Sequence, residues 1–163
     1  VTGVQTCALP IWRLVTRVGD RTIRGGKAQL TDAGTRVPLI ANWPGTTPAG
    51  VVNEDLIDFS DFLPTLSELA GADLPRDRVI DGVSFASLLR AQPGKPRTWV
   101  FTEWAGKRWV RNRRWKLYDD GRLFDMQADP DEKQSVSTDN RKAAPARKQL
   151  QTVFERLPLK RSR

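Results

Sequence analysis

A short, almost continuous apolar run constrains the fold of this chain more than any other feature. The run reads VPLIANW over residues 37–43 and is followed by Pro44 and Gly45. Such runs are typical of a strand that is buried on both faces, as in a parallel sheet, although Pro38 argues against a central position. Because a parallel sheet needs several strands, we predict a strand here whose parallel neighbours this chain does not supply.

An amphipathic helix is predicted after this run. Apolar residues recur at helical spacing from residue 59 to residue 70. Asp58 or Ser60 is available as the N-cap, and Gly71 is suited to end the helix. Without a sheet to cover it, the apolar face of this helix would be an exposed patch. That face consists of Phe59, Phe62, Leu63, Leu66, Leu69 and Ala70.

From residue 98 the apolar residues alternate with polar ones, which is typical of short strands. Turn residues separate the strands at Gly106, Asn112 and Gly121. A last amphipathic pattern covers residues 146–157. We therefore predict an antiparallel meander followed by a C-terminal helix. The four strands are expected at residues 99–101, 108–110, 115–118 and 122–124.

These patterns predict an α/β chain in two parts. The first part, residues 12–95, carries the buried-type strand and the apolar-faced helix. The second part, residues 96–163, carries the meander and the final helix. The boundary is placed at QPGKPR, residues 92–97, because Pro and Gly cluster there.

The first eleven residues are set apart from this organisation. Residues 1–11 read VTGVQTCALPI and resemble the translation of a common sequencing adapter, of the kind found at the ends of genes from metagenomic assemblies. We expect this segment to be an artefact and exclude it from the fold. An artefact at this place would also account for a gene that appears to start within a domain.

The composition excludes chemistry that depends on His or on an internal disulfide. The chain has no His, so no His base or His metal ligand is present, and its single Cys cannot form an internal disulfide. The net charge of +8 and the stretch KRWVRNRRWK at residues 107–116 raise the alternative of a nucleic-acid-binding module. Strand alternation is expected to place Trp109 and Trp115 in a small core and the basic residues on a solvated face. We therefore expect no nucleic-acid partner, and no run is long enough to predict a membrane span.

Several segments, taken in order, resemble the sulfatase family of the alkaline-phosphatase-like superfamily. They are RGGKAQLTDAGTRVPLIANWPG at 24–45, DFLPTLSELAG at 61–71, the Asp-Gly-x-Ser turn at 81–84, and VRNRRWKLYDDGRLFDMQADPDE at 110–132. No single motif is decisive, but four motifs in the same order as in the family are strong support for the resemblance. The resemblance implies the C-terminal part of an alkaline-phosphatase-like α/β sandwich, followed by a small antiparallel subdomain and a C-terminal helix.

The resemblance also implies an activity. Sulfatases hydrolyse sulfate esters with a formylglycine made from Cys or Ser and a divalent cation, usually calcium. The family's Cys/Ser-x-Pro/Ala-x-Arg motif is absent from this sequence, and Cys7 does not fit it. The nucleophile and the metal ligands are therefore expected upstream. We expect an inactive, aggregation-prone C-terminal fragment of a periplasmic or secreted enzyme that acts on a sulfated small molecule or glycan. The alternative is a phosphate- or phosphonate-ester hydrolase of the same superfamily.

Three residues are the candidates for substrate contact. Lys27 matches the family lysine that contacts the sulfate group, and Ala28 stands where the family often has Gly. Residues 31–32 support the Lys27 loop or simply form a turn. Glu103 and Trp104 end the first meander strand, where the smaller subdomain borders the substrate cleft in the family, or they are an exposed edge pair. No metal ligand is assigned in this chain.

Overall fold

The computed structural model describes residues 15–157, so the adapter-like segment 1–11 lies outside the described residues. Six strands are β1 (Val15–Val18), β2 (Arg21–Arg24), β3 (Val100–Trp104), β4 (Lys107–Arg111), β5 (Trp115–Tyr118) and β6 (Leu123–Asp125). The helices are α1 (Asp32–Thr35), α2 (Phe62–Ala70), α3 (Ala86–Leu89) and α4 (Ala144–Arg156), with a 3-10 turn at Phe59–Asp61 before α2. Within this range, no helix has the length and apolar character needed to cross a bilayer.

The predicted meander is confirmed. Strands β3, β4, β5 and β6 form an antiparallel sheet in chain order. The β3–β4 hairpin turns through Ala105 and Gly106, whose φ values of 50° and 72° are those of a two-residue turn that matches the strand twist. The predicted fold class, with a small antiparallel sheet and a C-terminal helix, is therefore correct. The division into two parts near residue 95 stays a prediction.

One face of this sheet is covered by α4, and we call it the helix-covered face. Val110, Leu117 and Leu123 project from the strands into a fully buried cluster. Helix α4 contributes Leu150, Val153 and Phe154 to the same cluster, as the spacing of these residues predicts. Burial of this apolar surface is the main term that holds α4 on the sheet.

The opposite face is covered by loop segments, and we call it the loop-covered face. Its buried cluster consists of Val100, Trp109, Tyr118, Phe124 and Met126, with Leu30 and Leu56 packed against it. The sheet thus has apolar side chains on both faces, which explains why β5 and β6 show almost no exposed residue. Long-range packing of residues 30 and 56 therefore ties the first half of the chain to the sheet.

One expectation about this sheet is wrong. The basic residues of the stretch 107–116 were expected on a solvated face, but Lys116 is fully buried. The two tryptophans lie on opposite faces, since Trp109 belongs to the loop-covered cluster and Trp115 packs against the helix-covered one. Alternation does not predict the burial of Lys116 because both faces of the sheet are covered at that position.

Helix α2 ends where the sequence predicts, but it begins at Phe62, after a 3-10 turn that occupies the predicted first turn. Asp58 caps the 3-10 turn through its carboxylate, and Gly71 ends the helix with φ of 65°. The predicted apolar face is not a buried face, however. Phe59 is 76% exposed and Leu66 is 59% exposed, whereas Pro64 and Thr65 are buried. The described residues provide no sheet for the apolar side of this helix, so it forms the exposed patch that was expected.

The predicted strand at residues 37–43 is absent. Residues 36–58 contain turns and irregular backbone, and their one strand-like contact is an isolated bridge between Leu56 and Arg97. A strand requires a neighbour to bond its backbone, and no described strand lies beside this run. Ile40 is 88% exposed as a result. The exposed large apolar residues of this segment are Val37, Leu39, Ile40, Trp43, Val51 and Val52.

Strands β1 and β2 form an antiparallel hairpin that was not predicted from the sequence. Val15 pairs with Arg24 and Val18 with Arg21. Gly19, with φ of 59°, supplies the turn between them. The strands are only four residues long and carry little apolar alternation, so the sequence gives a weak signal for them.

Truncation of Leu150 should show how much stability α4 contributes. Leu150→Ala is expected to lower the free energy of unfolding by about 2–5 kcal/mol, because it leaves a cavity in a fully buried cluster. Leu66→Ala is the matched control, since Leu66 is 59% exposed, and it is expected to change stability by less than about 0.5 kcal/mol. Urea unfolding followed by tryptophan fluorescence measures both, and equal losses would contradict the assigned core.

Candidate functional site

Lys27 lies on a tight turn that follows β2. The amide of Gln29 donates to the carbonyl of Gly26 at 2.8 Å and closes the turn. Ala28 has φ of 65°, a conformation that suits glycine better than alanine. The side chain of Lys27 is exposed. It makes no hydrogen bond or ion pair with any other residue in the range 15–157, so its ammonium group is available to an anion.

The turn is packed against α1, which fixes its position. A Cβ at Gly26 would lie 2.6 Å from the Cβ of Ala33, and a Cβ at Gly34 would lie 2.2 Å from the carbonyl oxygens of both Gln29 and Gly26. Only glycine therefore fits at either position. Helix α1 thus sits directly beneath the Lys27 turn.

Asp32 connects α1 to the sheet. Its backbone amide donates to Oε1 of Glu132 at 2.8 Å. Its carboxylate accepts hydrogen bonds from Nη1 of Arg111 at 2.7 Å and from Nζ of Lys116 at 3.2 Å. Of the two roles left open for residues 31–32, support of the Lys27 loop agrees with these contacts.

Lys116 is the buried centre of these contacts. Its Nζ donates to Oε1 of Glu132 at 2.8 Å and to the carbonyl of Leu30 at 3.0 Å. The same atom lies 4.4 Å from the centre of the Trp109 ring, within range of a cation–π interaction. Since a buried charge without partners is expensive, loss of either member of the Lys116–Glu132 pair should cost about 3–5 kcal/mol.

The hydroxyl of Tyr118 completes this network. It lies 3.2 Å from the carbonyl oxygen of Leu30 and also contacts the carboxylate of Glu132. Burial, and then the hydrogen bond and charge of Glu132, raise the pKa of Tyr118 well above its ordinary value. Tyr118 therefore stays neutral and acts as a hydrogen-bond donor at all physiological pH values.

A second buried ion pair organises the segment around α2. The carboxylate of Asp61 accepts hydrogen bonds from the backbone amides of Asp58 at 2.8 Å and Val83 at 2.7 Å, and it pairs with the guanidinium of Arg97. Burial raises the pKa of Asp61, but the hydrogen bonds from Arg97 and the two amides outweigh it, so the pKa lies below its ordinary value. A Cβ at Gly82 would lie 2.0 Å from the carbonyl oxygen of Ser60, so this close approach requires glycine.

Glu103 and Trp104 lie apart from this network. Both are exposed at the end of β3, where Trp104 is paired in register with Lys107. No hydrogen bond or ion pair between residues 15 and 157 joins either of them to Lys27. A role in substrate binding for these two residues stays a prediction.

Sequence reasoning missed the residues that support the Lys27 turn. Lys116, Tyr118 and Glu132 were treated as parts of motifs, and none was proposed as a functional residue. A usable signal was present, because Lys116 stands between Trp115 and Leu117 in a strand with almost no other polar residue. A charged residue in such a strand needs a buried partner of opposite sign.

The described residues do not fit a metal site. Among residues 15–157, no three Asp, Glu, His or Cys side chains are grouped so that they could hold an ion. Each carboxylate of the buried networks is instead paired with Arg or Lys.

The class of protein to which this chain belongs follows from its similarity to a known family. Residues 26–160 match the family described as N-sulphoglucosamine sulphohydrolase, C-terminal. This match covers most of the chain, including the Lys27 turn, both buried networks and α4. The chain belongs to this family of sulfatase C-terminal domains, as the motifs predicted.

Individual relatives are also sulfatases. The chain is 38% identical over 84 residues to an arylsulfatase of Hemicentrotus pulcherrimus, covering 51% of this chain and 15% of the relative. It is 47% identical over 66 residues to the steryl-sulfatase of Rattus norvegicus, covering 40% and 11%. It is 34% identical over 102 residues to arylsulfatase D of Homo sapiens, covering 62% and 17%. The chain thus spans less than a fifth of the length of these relatives.

Ala28 provides a test of the Lys27 turn. Ala28→Gly is expected to raise the free energy of unfolding by up to about 1 kcal/mol, because glycine adopts the observed positive φ without steric cost. Ala33→Gly is the control, and it is expected to lower stability by at least about 0.5–1 kcal/mol, since Ala33 lies within α1. Urea unfolding of both variants measures the difference, and destabilisation by Ala28→Gly would contradict the turn geometry.

The Asp61–Arg97 pair predicts a loss of stability in acid. Because the pKa of Asp61 is lower in the folded state, its stabilising contribution is complete above the unfolded-state value and is lost as the pH falls below about 4. Asp61→Asn should be less stable than the unmodified chain at pH 7 and should show a smaller decrease between pH 5 and pH 2. Asp139→Asn, a change at an exposed position, is the control. An unchanged pH dependence in Asp61→Asn would contradict the assignment.

Proposed function

We propose that this chain is the C-terminal portion of an enzyme that hydrolyses sulfate esters, and that Lys27 contacts the sulfate group of the substrate. The family match over residues 26–160 carries this proposal. The exposed ammonium of Lys27 on a rigid, glycine-flanked turn supports it. A charge-assisted hydrogen bond from such a group to a sulfate oxygen is stronger than a neutral one.

The role of Lys27 would be electrostatic. Cleavage of a sulfate ester leaves negative charge on the sulfate and on the departing oxygen, and a cation already held in place stabilises that charge without rearrangement. The close packing of Gly26 against α1 and the hydrogen bond from Gln29 to Gly26 restrict the turn. Lys27 is thus suited to bind and orient the sulfate group.

The other catalytic groups of the enzyme are proposed to lie outside the described residues. The formylglycine nucleophile and the divalent cation, usually calcium, are implied by the family only. The 163-residue chain by itself is therefore proposed to be inactive. The substrate is proposed to be a sulfated small molecule or glycan, and the whole enzyme to be periplasmic or secreted.

The exposed apolar surface agrees with this proposal. Ile40, Phe59 and Leu66 are all more than half exposed, and they belong to the two elements that were predicted to need a parallel sheet. We propose that the remainder of the catalytic domain packs on this surface. An exposed patch of this kind also explains why the isolated chain should aggregate.

The direct test is the activity of the whole enzyme. Its coding sequence would be obtained by long-read sequencing of the source DNA upstream of the Trp12 codon, and the protein would be assayed with an aryl sulfate and the matching aryl phosphate. Hydrolysis of the sulfate ester in preference to the phosphate ester is the expected result. Preference for the phosphate ester would establish the phosphate-hydrolase alternative instead.

Substitution of Lys27 tests the assigned contact in the same protein. Lys27→Ala is expected to lower kcat for the sulfate ester on the order of a hundredfold, the size found when one donor to a developing anion is removed. Lys148→Ala is the control, because Lys148 is exposed on α4. Steady-state kinetics measures both variants, and near-normal turnover by Lys27→Ala would refute the assignment.

A further inference from the structure

We propose that Lys116, Glu132 and Tyr118 are positioning residues that hold the Lys27 turn, so that the antiparallel sheet sets the place of the sulfate contact. The proposal rests on the proposed function of Lys27 and adds the residues through which the C-terminal subdomain acts on it. None of the three touches the substrate in this account.

The first observation is that these residues bind the backbone of the segment that follows Lys27. Lys116 donates to the carbonyl of Leu30 at 3.0 Å, and the hydroxyl of Tyr118 lies 3.2 Å from the same oxygen. Glu132 accepts from the amide of Asp32 at 2.8 Å. Because backbone atoms are held, the path of the chain is fixed. The contacts join residues that are 86 to 100 positions apart in the sequence.

The second observation is that the backbone between Lys27 and the two held residues, Leu30 and Asp32, has little conformational freedom. The turn is closed by the bond from Gln29 to Gly26, and α1 is closed by the bond from the amide of Gly34 to the carbonyl of Thr31 at 2.9 Å. Leu30 itself packs against the loop-covered face of the sheet. A displacement of Leu30 and Asp32 would therefore move the whole Lys27 turn.

The third observation is that the formal charges of the buried network around Lys116 are balanced. The buried network pairs two cations, Lys116 and Arg111, with two anions, Asp32 and Glu132. The formal charges cancel, so the network brings no net positive charge to the region of the Lys27 turn. Its effect on a sulfate group would therefore be geometric, which distinguishes it from a second anion-binding cation.

The fourth observation is backbone strain at Glu132. This residue has φ of 56°, which is uncommon and sterically unfavourable for a residue other than glycine. The turn that holds it is closed by the bond from its amide to the carbonyl of Asp129 at 3.2 Å. The strained turn brings the carboxylate to Lys116, Tyr118 and the amide of Asp32 together.

Amide hydrogen exchange of the whole enzyme, followed by mass spectrometry of peptides that contain Gln29, tests whether the three residues hold the Lys27 turn in place. Tyr118→Phe keeps the ring and removes the hydroxyl, and Glu132→Gln is the second variant if the first fails to fold. We expect the amide of Gln29, which neither variant touches directly, to exchange at least about tenfold faster than in the unmodified chain. Leu150→Ala is the control, because it weakens the helix-covered face and should alter Gln29 only as much as it alters global stability. Exchange at Gln29 that follows global stability alike in all variants would overturn the proposal.

Kinetics of the whole enzyme tests the functional part. Tyr118→Phe should lower kcat/KM for the sulfate ester when Lys27 is present and should have no further effect in the Lys27→Ala background, because it acts through Lys27. An equal loss in both backgrounds would show a merely structural role and overturn the proposal.

The two proposals can fail separately. If Lys27→Ala has normal kinetics while Gln29 exchange changes as expected, the proposed function fails, but the coupling between the sheet and the Lys27 turn stands. If Lys27→Ala is impaired while Gln29 exchange is unchanged, the positioning role fails alone.

Discussion

The buried ion pair between Lys116 and Glu132 is the interaction on which the described structure depends most. Each partner is almost fully buried, so neither can lose the other without leaving a charge in an apolar environment. The pair lies on the loop-covered face of the sheet and holds the segment around Leu30 and Asp32 against it. An irregular loop from the first half of the chain thereby acquires a fixed position relative to β4 and β5.

The two halves of the chain differ in how completely their apolar surfaces are covered. The sheet β3–β6 is covered on both faces, by α4 on one and by residues around 30 and 56 on the other. Residues 36–58 and helix α2 instead leave large apolar side chains in contact with solvent. This chain belongs to a sulfatase C-terminal family and spans less than a fifth of the length of its relatives. Its exposed apolar surface includes the two elements that were predicted to pack on a parallel sheet.

Much of the local structure could be predicted from the sequence, because local signals determine it. The two-residue periodicity and the turn at Gly106 predicted the meander, and Gly71 predicted the end of α2. The strand at residues 37–43 could not form, since a strand depends on a neighbour and not on its own composition. The burial of Lys116 was missed for a similar reason. The environment of Lys116 is set by the segment that covers the sheet, and its partners Leu30 and Asp32 in that segment are 86 and 84 positions away in the sequence.

A structure of the whole enzyme with a sulfate ester or inorganic sulfate bound would show whether Lys27 contacts the sulfate group. We expect Nζ of Lys27 to lie about 2.7–3.2 Å from a sulfate oxygen, with Lys116, Glu132 and the Leu30 carbonyl still in contact with one another. A bound sulfate group well beyond hydrogen-bond distance of Lys27 would refute the proposed contact, whatever the enzyme's activity.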